Sequence, residues 1–388
     1  MDDLEVKLNM RVQQVVIEEN KIRYMLVSDD GMPIIPVTKY LKYLDNIDKS
    51  INTLKTYCYS LKLYFCYLDE IQKDYRNVNI SDLSNFVGWL RNPYKSSKVI
   101  GLNPVQARRT EKTINLTITV VSNFYDYLFR TEEINNDIIE KLLKQVFTGG
   151  RRQYKDFLFH VNKDKPISKN ILKIKEPRSK IKTLAKDEVE KIYNVTTNIR
   201  DKFLVKILFE TGLRIGEVLS LFIEDFTCDY NNGHKIKLVD RGELSNGAKL
   251  KTGAREICIS QELMDLFDDY MYEVIDNLEI DTNFVFVKLK GVNKGEPMSY
   301  VEVSALFKKL KEKTGINVHP HLLRHTHATI YYTQTKDIKQ VQERLGHSQI
   351  QTTMNLYLHP SNEDTRKNWE IAQPAFKINT DKNKEDIF

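Results

Sequence analysis

Two arginines, a lysine, two histidines and a tyrosine in the second half of this 388-residue chain are its best-suited residues for chemistry. Thr211-Gly212-Leu213-Arg214-Ile215-Gly216-Glu217 puts an arginine at the turn into a helix, with a carboxylate three residues later on the same face. Such a carboxylate can orient a guanidinium, although an Arg and Glu at that step commonly form no more than a surface ion pair. Lys251-Thr252-Gly253 reads as a hairpin tip from which an amine reaches a ligand, or as an ordinary exposed turn. His319-Pro320-His321-Leu322-Leu323-Arg324-His325 starts a helix at a proline and sets His321 and Arg324 on one face. Leu345-Gly346-His347 ends the next helix on a glycine, and Tyr357 follows ten residues later. Alone, a tyrosine at helical spacing is usually core and a single histidine usually structural. Two planar guanidinium forks are suited to binding anionic oxygens in pairs. No carboxylate cluster or Cys/His spacing suggests a metal.

The elements that must position these residues read as mainly α with small β elements, an α+β chain. Residues 11–17 and 22–28 are predicted strands, rich in Val, Ile and Tyr around a polar turn. Ile51, Leu54, Cys58, Leu61, Phe65 and Leu68 then recur at three- and four-residue steps, as on one stripe of a helix. A second helix is predicted from an N-cap at Ser81, and a third buries Ile114, Ile118, Val121, Tyr125 and Leu128. Further on, a helical pattern covers 187–211, strands are predicted at 234–240, 248–251 and 255–259, and helices at 261–277, 301–314, 321–334, 337–345 and 349–358. The predicted division is a β-type extension at 1–36, a helical domain at 37–148, a basic linker at 149–182, a second domain at 183–375 and a tail at 376–388.

Composition narrows the partners. With 59 Lys plus Arg against 53 Asp plus Glu, the net charge of +6 is too mild to announce a polyanion by itself. Residues 151–187, however, hold twelve basic and four acidic residues, so this segment carries +8 and the rest of the chain about −2. A basic strap between two domains is either a solvated linker or a device for closing on a nucleic-acid backbone. The four scattered cysteines, Cys58, Cys66, Cys228 and Cys258, read as buried thiols of a reducing compartment. An acidic start and no window of about 18 apolar residues point to a cytoplasmic protein, without a membrane partner.

Taken in order, Arg214, Lys251, His321-x-x-Arg324, Leu345-Gly346-His347 and Tyr357 resemble the catalytic set of the tyrosine recombinases, also called the phage integrase family. All six catalytic positions hold permitted residues. The motifs span about 205–360, only the architecture agrees for the helical domain before them, and residues 1–36 have no counterpart. His327 stands where the family more often has an aromatic or aliphatic residue, which concerns packing behind the site. The resemblance implies a site-specific DNA recombinase built as a two-domain clamp, with a helical DNA-binding domain and a catalytic domain. It implies a 3′-phosphotyrosine intermediate, double-stranded DNA as substrate, a homotetramer on paired sites, possible accessory proteins, and no cofactor or metal.

In that setting the residue types suggest roles. Arg214 and Arg324 would bind the nonbridging oxygens of a phosphodiester, whose negative charge grows in the transition state. Tyr357 would be the nucleophile and His321 its base, because a phenol with a pKa near ~10 needs help losing its proton. Lys251 would protonate the leaving 5′ oxygen, His347 would hydrogen-bond a phosphate oxygen or the nucleophile, and Glu217 would orient the first arginine. Arg108, Arg109, Lys112, Arg151 and Arg152 are candidate DNA-backbone contacts. Mobile-element integration or transposition is favoured over chromosome resolution because β-patterned residues precede the helical domain. A type IB topoisomerase and a catalytically silent DNA-binding protein are the competing readings.

Overall fold

The computed structural model describes residues 10–17, 22–92, 109–135, 138–146, 167–177, 182–231, 233–278 and 281–347. The chain divides into two compact units, residues 1–178 and 179–388. Both are mostly helical, with small antiparallel sheets.

In the first unit, β1 (Met10–Val16) pairs antiparallel with β2 (Ile22–Ser28), Met10 opposite Ser28 and Val16 opposite Ile22. Leu26 and Val27 of β2 are buried, and the hairpin lies against α1 (Ile35–Asn46) and α2 (Ile51–Glu70). Ser50 caps α2, and the expected stripe of Leu54, Cys58, Leu61, Phe65 and Leu68 is buried. The next helix, α3 (Ile80–Arg91), starts earlier than a cap at Ser81 would dictate. Asn79 is the cap: its Oδ1 accepts from the Asp82 amide at 3.0 Å while Asp82 Oδ2 accepts from the Asn79 amide at 2.8 Å. That reciprocal pair satisfies two end donors where Ser81 could satisfy one. Thr110 caps α4 (Glu111–Arg130), which buries Ile114, Ile118, Val121, Tyr125 and Leu128.

No pattern in the sequence announces the next three elements. The short helix α5 (Ile138–Leu142) runs into β3 (Leu143–Val146), which pairs antiparallel with β4 (Ile167–Asn170). Two asparagines pin this return to α4: Asn170 Nδ2 donates to Ser122 Oγ at 2.9 Å, and Asn115 both donates to the Ile174 carbonyl and accepts from its amide, each at 2.9 Å. Part of the basic segment is therefore structured backbone.

In the second unit the predicted helical stretch 187–211 is two helices, α6 (Lys186–Val195) and α7 (Ile199–Thr211), because Asn198 starts a new one by accepting from the Asp201 amide at 2.8 Å. Phe203, Leu204, Ile207 and Leu208 are fully buried, so α7 is the central helix. After the single turn α8 (Ile215–Val218), a sheet forms in the order β5 (Phe226–Thr227), β6 (Lys235–Leu238), β7 (Arg255–Cys258). The strand expected at 248–251 is absent. Its backbone is satisfied locally instead: Leu244 donates to the Ala248 carbonyl at 2.9 Å, and Asn246 bonds the Ala248 amide and the Leu219 and Met298 carbonyls at 3.0 Å each. Since β6 pairs directly with β7, Lys251 lies in one long connection, residues 239–254, rather than at a tight hairpin tip.

Four capped helices complete the unit: α9 (Gln261–Tyr270), α10 (Tyr300–Thr314), α11 (Pro320–Thr335) and α12 (Ile338–Leu345). The helix expected at 349–358 lies outside the described residues. Among those described, no helix is long and apolar enough to cross a membrane. Of the four cysteines expected to be buried, Cys58 and Cys66 are, whereas Cys228 and Cys258 are exposed.

Candidate active site

Two helix ends build the site. Helix α7 stops at Gly212, in the left-handed conformation at φ +65°, where an added Cβ would come within 2.4 Å of the His327 ring. Only glycine fits, and the chain turns so that Arg214 caps α8. Helix α12 likewise stops at Gly346, φ +64°, where a Cβ would meet Arg255 Nη1 at 2.8 Å. Each helix end leaves carbonyls without helical partners, and arginines take them. Arg324 Nη1 donates to the Gly212 carbonyl at 2.6 Å and its Nη2 to the Leu345 carbonyl at 2.8 Å. Arg214 Nη1 donates to that same Leu345 carbonyl at 3.2 Å. One oxygen thus holds both guanidiniums side by side, 110 positions apart in the chain.

Beneath them lies Glu217, whose side chain is 1% exposed. Its carboxylate accepts from the Arg214 amide at 2.9 Å, from Arg214 Nη1 at 3.3 Å, from Arg255 Nη2 at 3.1 Å and from the Thr252 hydroxyl at 2.5 Å; Arg324 Nη1 is 3.9 Å away. Burial pushes this carboxyl up, but Arg255, Thr252 and the Arg214 amide more than reverse it, so Glu217 titrates below the usual carboxylate range. Three arginines around one carboxylate leave a surplus of positive charge, the condition for receiving an anion.

The environment of the site favours the neutral form of its histidines. Burial and then Arg324 and Arg214 push His347 down to about 4, and its Nε2 accepts from Arg324 Nη2 at 3.1 Å, which puts its proton on Nδ1. His321, on the first turn of α11, is lowered by partial burial and by Arg324, His319, Arg214 and Lys251. This shift favours the unprotonated imidazole, the form that can take a proton. Lys251 is exposed and adjoins Thr252. Among the described residues no group of His, Cys, Asp and Glu could hold a metal ion.

Of the residues singled out from sequence, the structure gathers Arg214, Glu217, Arg324 and His347, with His321 and Lys251 close enough to act electrostatically on one another. Tyr357 lies outside the described residues, as do Arg108, Arg151 and Arg152. Arg109 is engaged within its own unit, donating to the Leu90 carbonyl at 3.1 Å with its guanidinium 5.8 Å from the Trp89 ring. Lys112 is exposed on the first turn of α4. His327 sits behind the site: its Nδ1 donates to the Phe209 carbonyl at 3.0 Å and its Nε2 accepts from Arg344 Nε at 3.1 Å.

Arg255, Thr252 and His325 are functional candidates that residue types and spacing alone do not single out. Arg255 alternates with Ile257 on the buried face of β7, and an inward arginine on a strand demands a buried acceptor. That was the available signal. The His325 ring is 6.4 Å from that of His321, and burial, then His321 and Arg324, push its pKa down as well.

Comparison with known proteins gives the family. Residues 182–364 match the phage integrase family, and residues 37–132 match the phage integrase N-terminal SAM-like domain. The chain is 40% identical over 360 residues to transposase A from transposon Tn554 of Staphylococcus aureus, covering 92% of this chain and 96% of that protein. It is 36% identical over 199 residues to the tyrosine recombinase XerA of Pyrococcus horikoshii, covering 51% of this chain and 64% of XerA. Among solved structures, the Tn1549 transposon integrase in complex with transposon right end DNA shares the fold, with a TM-score of 0.56 and 20% identity over 87% of this chain and 99% of that one. XerH bound to difH substrate has a TM-score of 0.56 and 17% identity, over 88% of this chain and 84% of that one. The chain belongs to the phage integrase family of tyrosine recombinases and is a site-specific recombinase of the transposon and phage type.

Proposed function

We propose that this recombinase moves a transposable element by cutting and rejoining double-stranded DNA at Tyr357. The observation that carries the reading is the pair of guanidiniums held on the Leu345 carbonyl over a single buried carboxylate. The Tyr357 oxygen attacks phosphorus and its proton passes to His321. The bond from phosphorus to the 5′ oxygen breaks, and that oxygen takes a proton from Lys251. The product is a 3′-phosphotyrosine and a free 5′ hydroxyl. Arg214 and Arg324 hold the nonbridging oxygens, where two fixed forks stabilise the added charge, and His347 hydrogen-bonds the same phosphate. The ester retains the bond energy, so a 5′ hydroxyl from another strand reseals it by the reverse steps without ATP.

Two such exchanges on paired sites call for four subunits, a homotetramer, with accessory proteins setting direction. The residue 37–148 domain, the basic segment and the 183–375 domain would each contact the duplex, with Lys112, Arg108, Arg151 and Arg152 as backbone contacts and Arg109 as a support for the α4 start. Transposition is favoured over chromosome resolution because similarity to a transposase is 40% over 92% of the chain, whereas similarity to XerA is 36% over half the chain or 25% over 83% of it. Such an enzyme works in the cytoplasm, at the nucleoid.

The test is covalent capture. The chain is incubated with nicked duplexes of randomised sequence, so that the cut end diffuses away, and trapped complexes are sequenced to map the cleavage position. A protein–DNA adduct that disappears in Tyr357→Phe is expected. No adduct from the wild-type chain, or an adduct that survives Tyr357→Phe, overturns the proposal. Strand exchange between two labelled duplexes, beyond relaxation of supercoils, separates recombination from topoisomerase action.

A further inference from the structure

Arg255 has an unusual set of partners. Its Nε donates to the Arg344 carbonyl at 3.1 Å, its Nη1 to Thr252 Oγ1 at 2.6 Å, and its Nη2 to Glu217 Oε2 at 3.1 Å. These three acceptors belong to different parts of the site. Arg344 lies on the last turn of α12, one residue before the carbonyl that holds both phosphate-binding guanidiniums and three before His347. Thr252 adjoins Lys251 in the β6–β7 connection. Glu217 underlies Arg214. The side chain is 12% exposed, and each of its three nitrogens donates to a protein acceptor, an arrangement suited to support rather than to substrate binding. The backbone has been cleared for it: at Gly346, any Cβ would sit 2.8 Å from Nη1 and 2.9 Å from Cζ. Thr252 completes the junction, donating its one hydroxyl proton to Glu217 while accepting from Arg255.

We propose that Arg255 is a positioning residue for strand cleavage, tying the Lys251 connection, the Glu217 carboxylate and the end of α12 into one frame. The inference rests on the cleavage reading above. The amine that protonates the leaving oxygen and the guanidiniums that hold the phosphate are thereby kept in register, although they come from separate elements. A lysine at 255 keeps the charge but lacks the planar fork that reaches three acceptors in fixed directions. Misplacement of reacting groups by about 1 Å is enough to slow a reaction about 100-fold.

The experiment uses the full chain and the duplex recovered by covalent capture. Single-turnover cleavage and duplex affinity are measured for the wild type, Arg255→Lys, Arg255→Gln, Thr252→Val and Lys251→Ala. A second duplex carries sulfur in place of the bridging 5′ oxygen at the scissile bond, and its thiolate leaves without needing a proton. In Arg255→Lys the cleavage rate is expected to fall about 100-fold with duplex affinity nearly unchanged. The sulfur substrate should restore Lys251→Ala and leave most of the Arg255→Lys defect, because the phosphate-binding groups are still out of register. In Arg255→Gln the carboxylate at 217 faces only Arg214 and Arg324, so the acid limb of the rate profile should move to higher pH.

Cleavage by Arg255→Lys at the wild-type rate, full rescue of it by sulfur, or a loss that merely follows the folded fraction each overturns the inference. Where the arginine variants do not fold, Thr252→Val removes one hydroxyl from the same frame, and a wild-type rate there overturns it too. A wild-type chain that captures no duplex removes the cleavage reading and this inference with it. A wild type that cleaves beside an equally fast Arg255→Lys removes this inference alone.

Discussion

The two units bury polar groups in opposite ways. In the helical unit the deepest polar contact is between neutral phenols: Tyr125 donates to the Tyr75 carbonyl at 2.8 Å, so Tyr64 must be the donor in the 2.5 Å contact between the two hydroxyls. Around it Tyr64, Phe65, Phe86 and Phe124 meet edge to face with ring centroids 5.1–6.0 Å apart. In the catalytic unit the interior holds Glu217, Arg324 and His327. Among the described residues no buried side-chain polar atom lacks a hydrogen-bond partner, so both arrangements are closed. The first, however, carries no charge and holds a shape. The second holds an ionic arrangement that needs every member.

The sharpest way to break that contrast is Glu217→Gln. Removing the one carboxylate leaves Arg214, Arg255 and Arg324 without a counter-charge, and breaking a buried ionic cluster costs about 3–5 kcal/mol. Hydrogen exchange on the full chain should show protection lost throughout residues 182–347 and retained in α2 and α4, with covalent capture abolished. Protection lost equally in both units would mean that stability is not divided as the burial pattern implies. Next in size is Gly212→Ala, which forces a Cβ to 2.4 Å from the His327 ring at a left-handed φ. A loss of about 2–4 kcal/mol is expected from strain and overpacking together, read as a lowered denaturant midpoint for the catalytic unit.

How much of this was legible depended on whether a signal was local. The stripes on α2 and α4 were visible because a helix repeats its buried face every three or four residues, and Arg214, His321, Arg324 and His347 because they stand in compact motifs. Ser81 alone reads as a cap for α3, but the reciprocal bonds between Asn79 and Asp82 start the helix two residues earlier. The supposed strand at 248–251 failed for a tertiary reason, the bonds of Asn246 to the Leu219 and Met298 carbonyls. Arg255 escaped notice because its partners lie 38 positions before it and 89 after it. Only folding brings those acceptors together, so residue types and spacing do not single out Arg255.

Titration sharpens the comparison, because the units should yield at opposite ends of the pH scale. Seven of the eight histidines lie in the second unit, the exception being His160. Burial pushes His327 down to about 3 and His347 down to about 4. Between those values and an unfolded value near 6.5 the unfolded chain binds more protons, so stability is full above that range and is lost as pH falls through it. His327 alone should account for about 2 kcal/mol by pH 5, and His327→Phe should flatten the acid limb while lowering stability at neutral pH. In the helical unit burial instead pushes Cys58 up to about 12 and Cys66 up to about 11, and raises Tyr40 and Tyr64 further. There the unfolded chain loses protons first as pH rises past about 9, so that unit weakens in alkali. Denaturant melts followed unit by unit at pH 5, 7 and 10 check both signs, and coincident loss at pH 5 would contradict them.

The smallest expected effect has the opposite sign and tests whether glycine serves different purposes in the two units. Gly88 stands on the exposed face of α3 with ordinary helical dihedrals and no atom within 4 Å of an added Cβ. No close approach or left-handed turn requires it. Alanine there restricts the unfolded chain and favours the helix, a gain of about 0.5–1 kcal/mol. The same exchange at Gly212 or Gly346 meets a ring or a guanidinium. Gly88→Ala should therefore raise the midpoint of the helical unit and leave the single-turnover cleavage rate unchanged. If it lowers that rate, α3 contributes more to the reaction than its packing reveals, and the division of labour between a neutral scaffold and an ionic site does not hold.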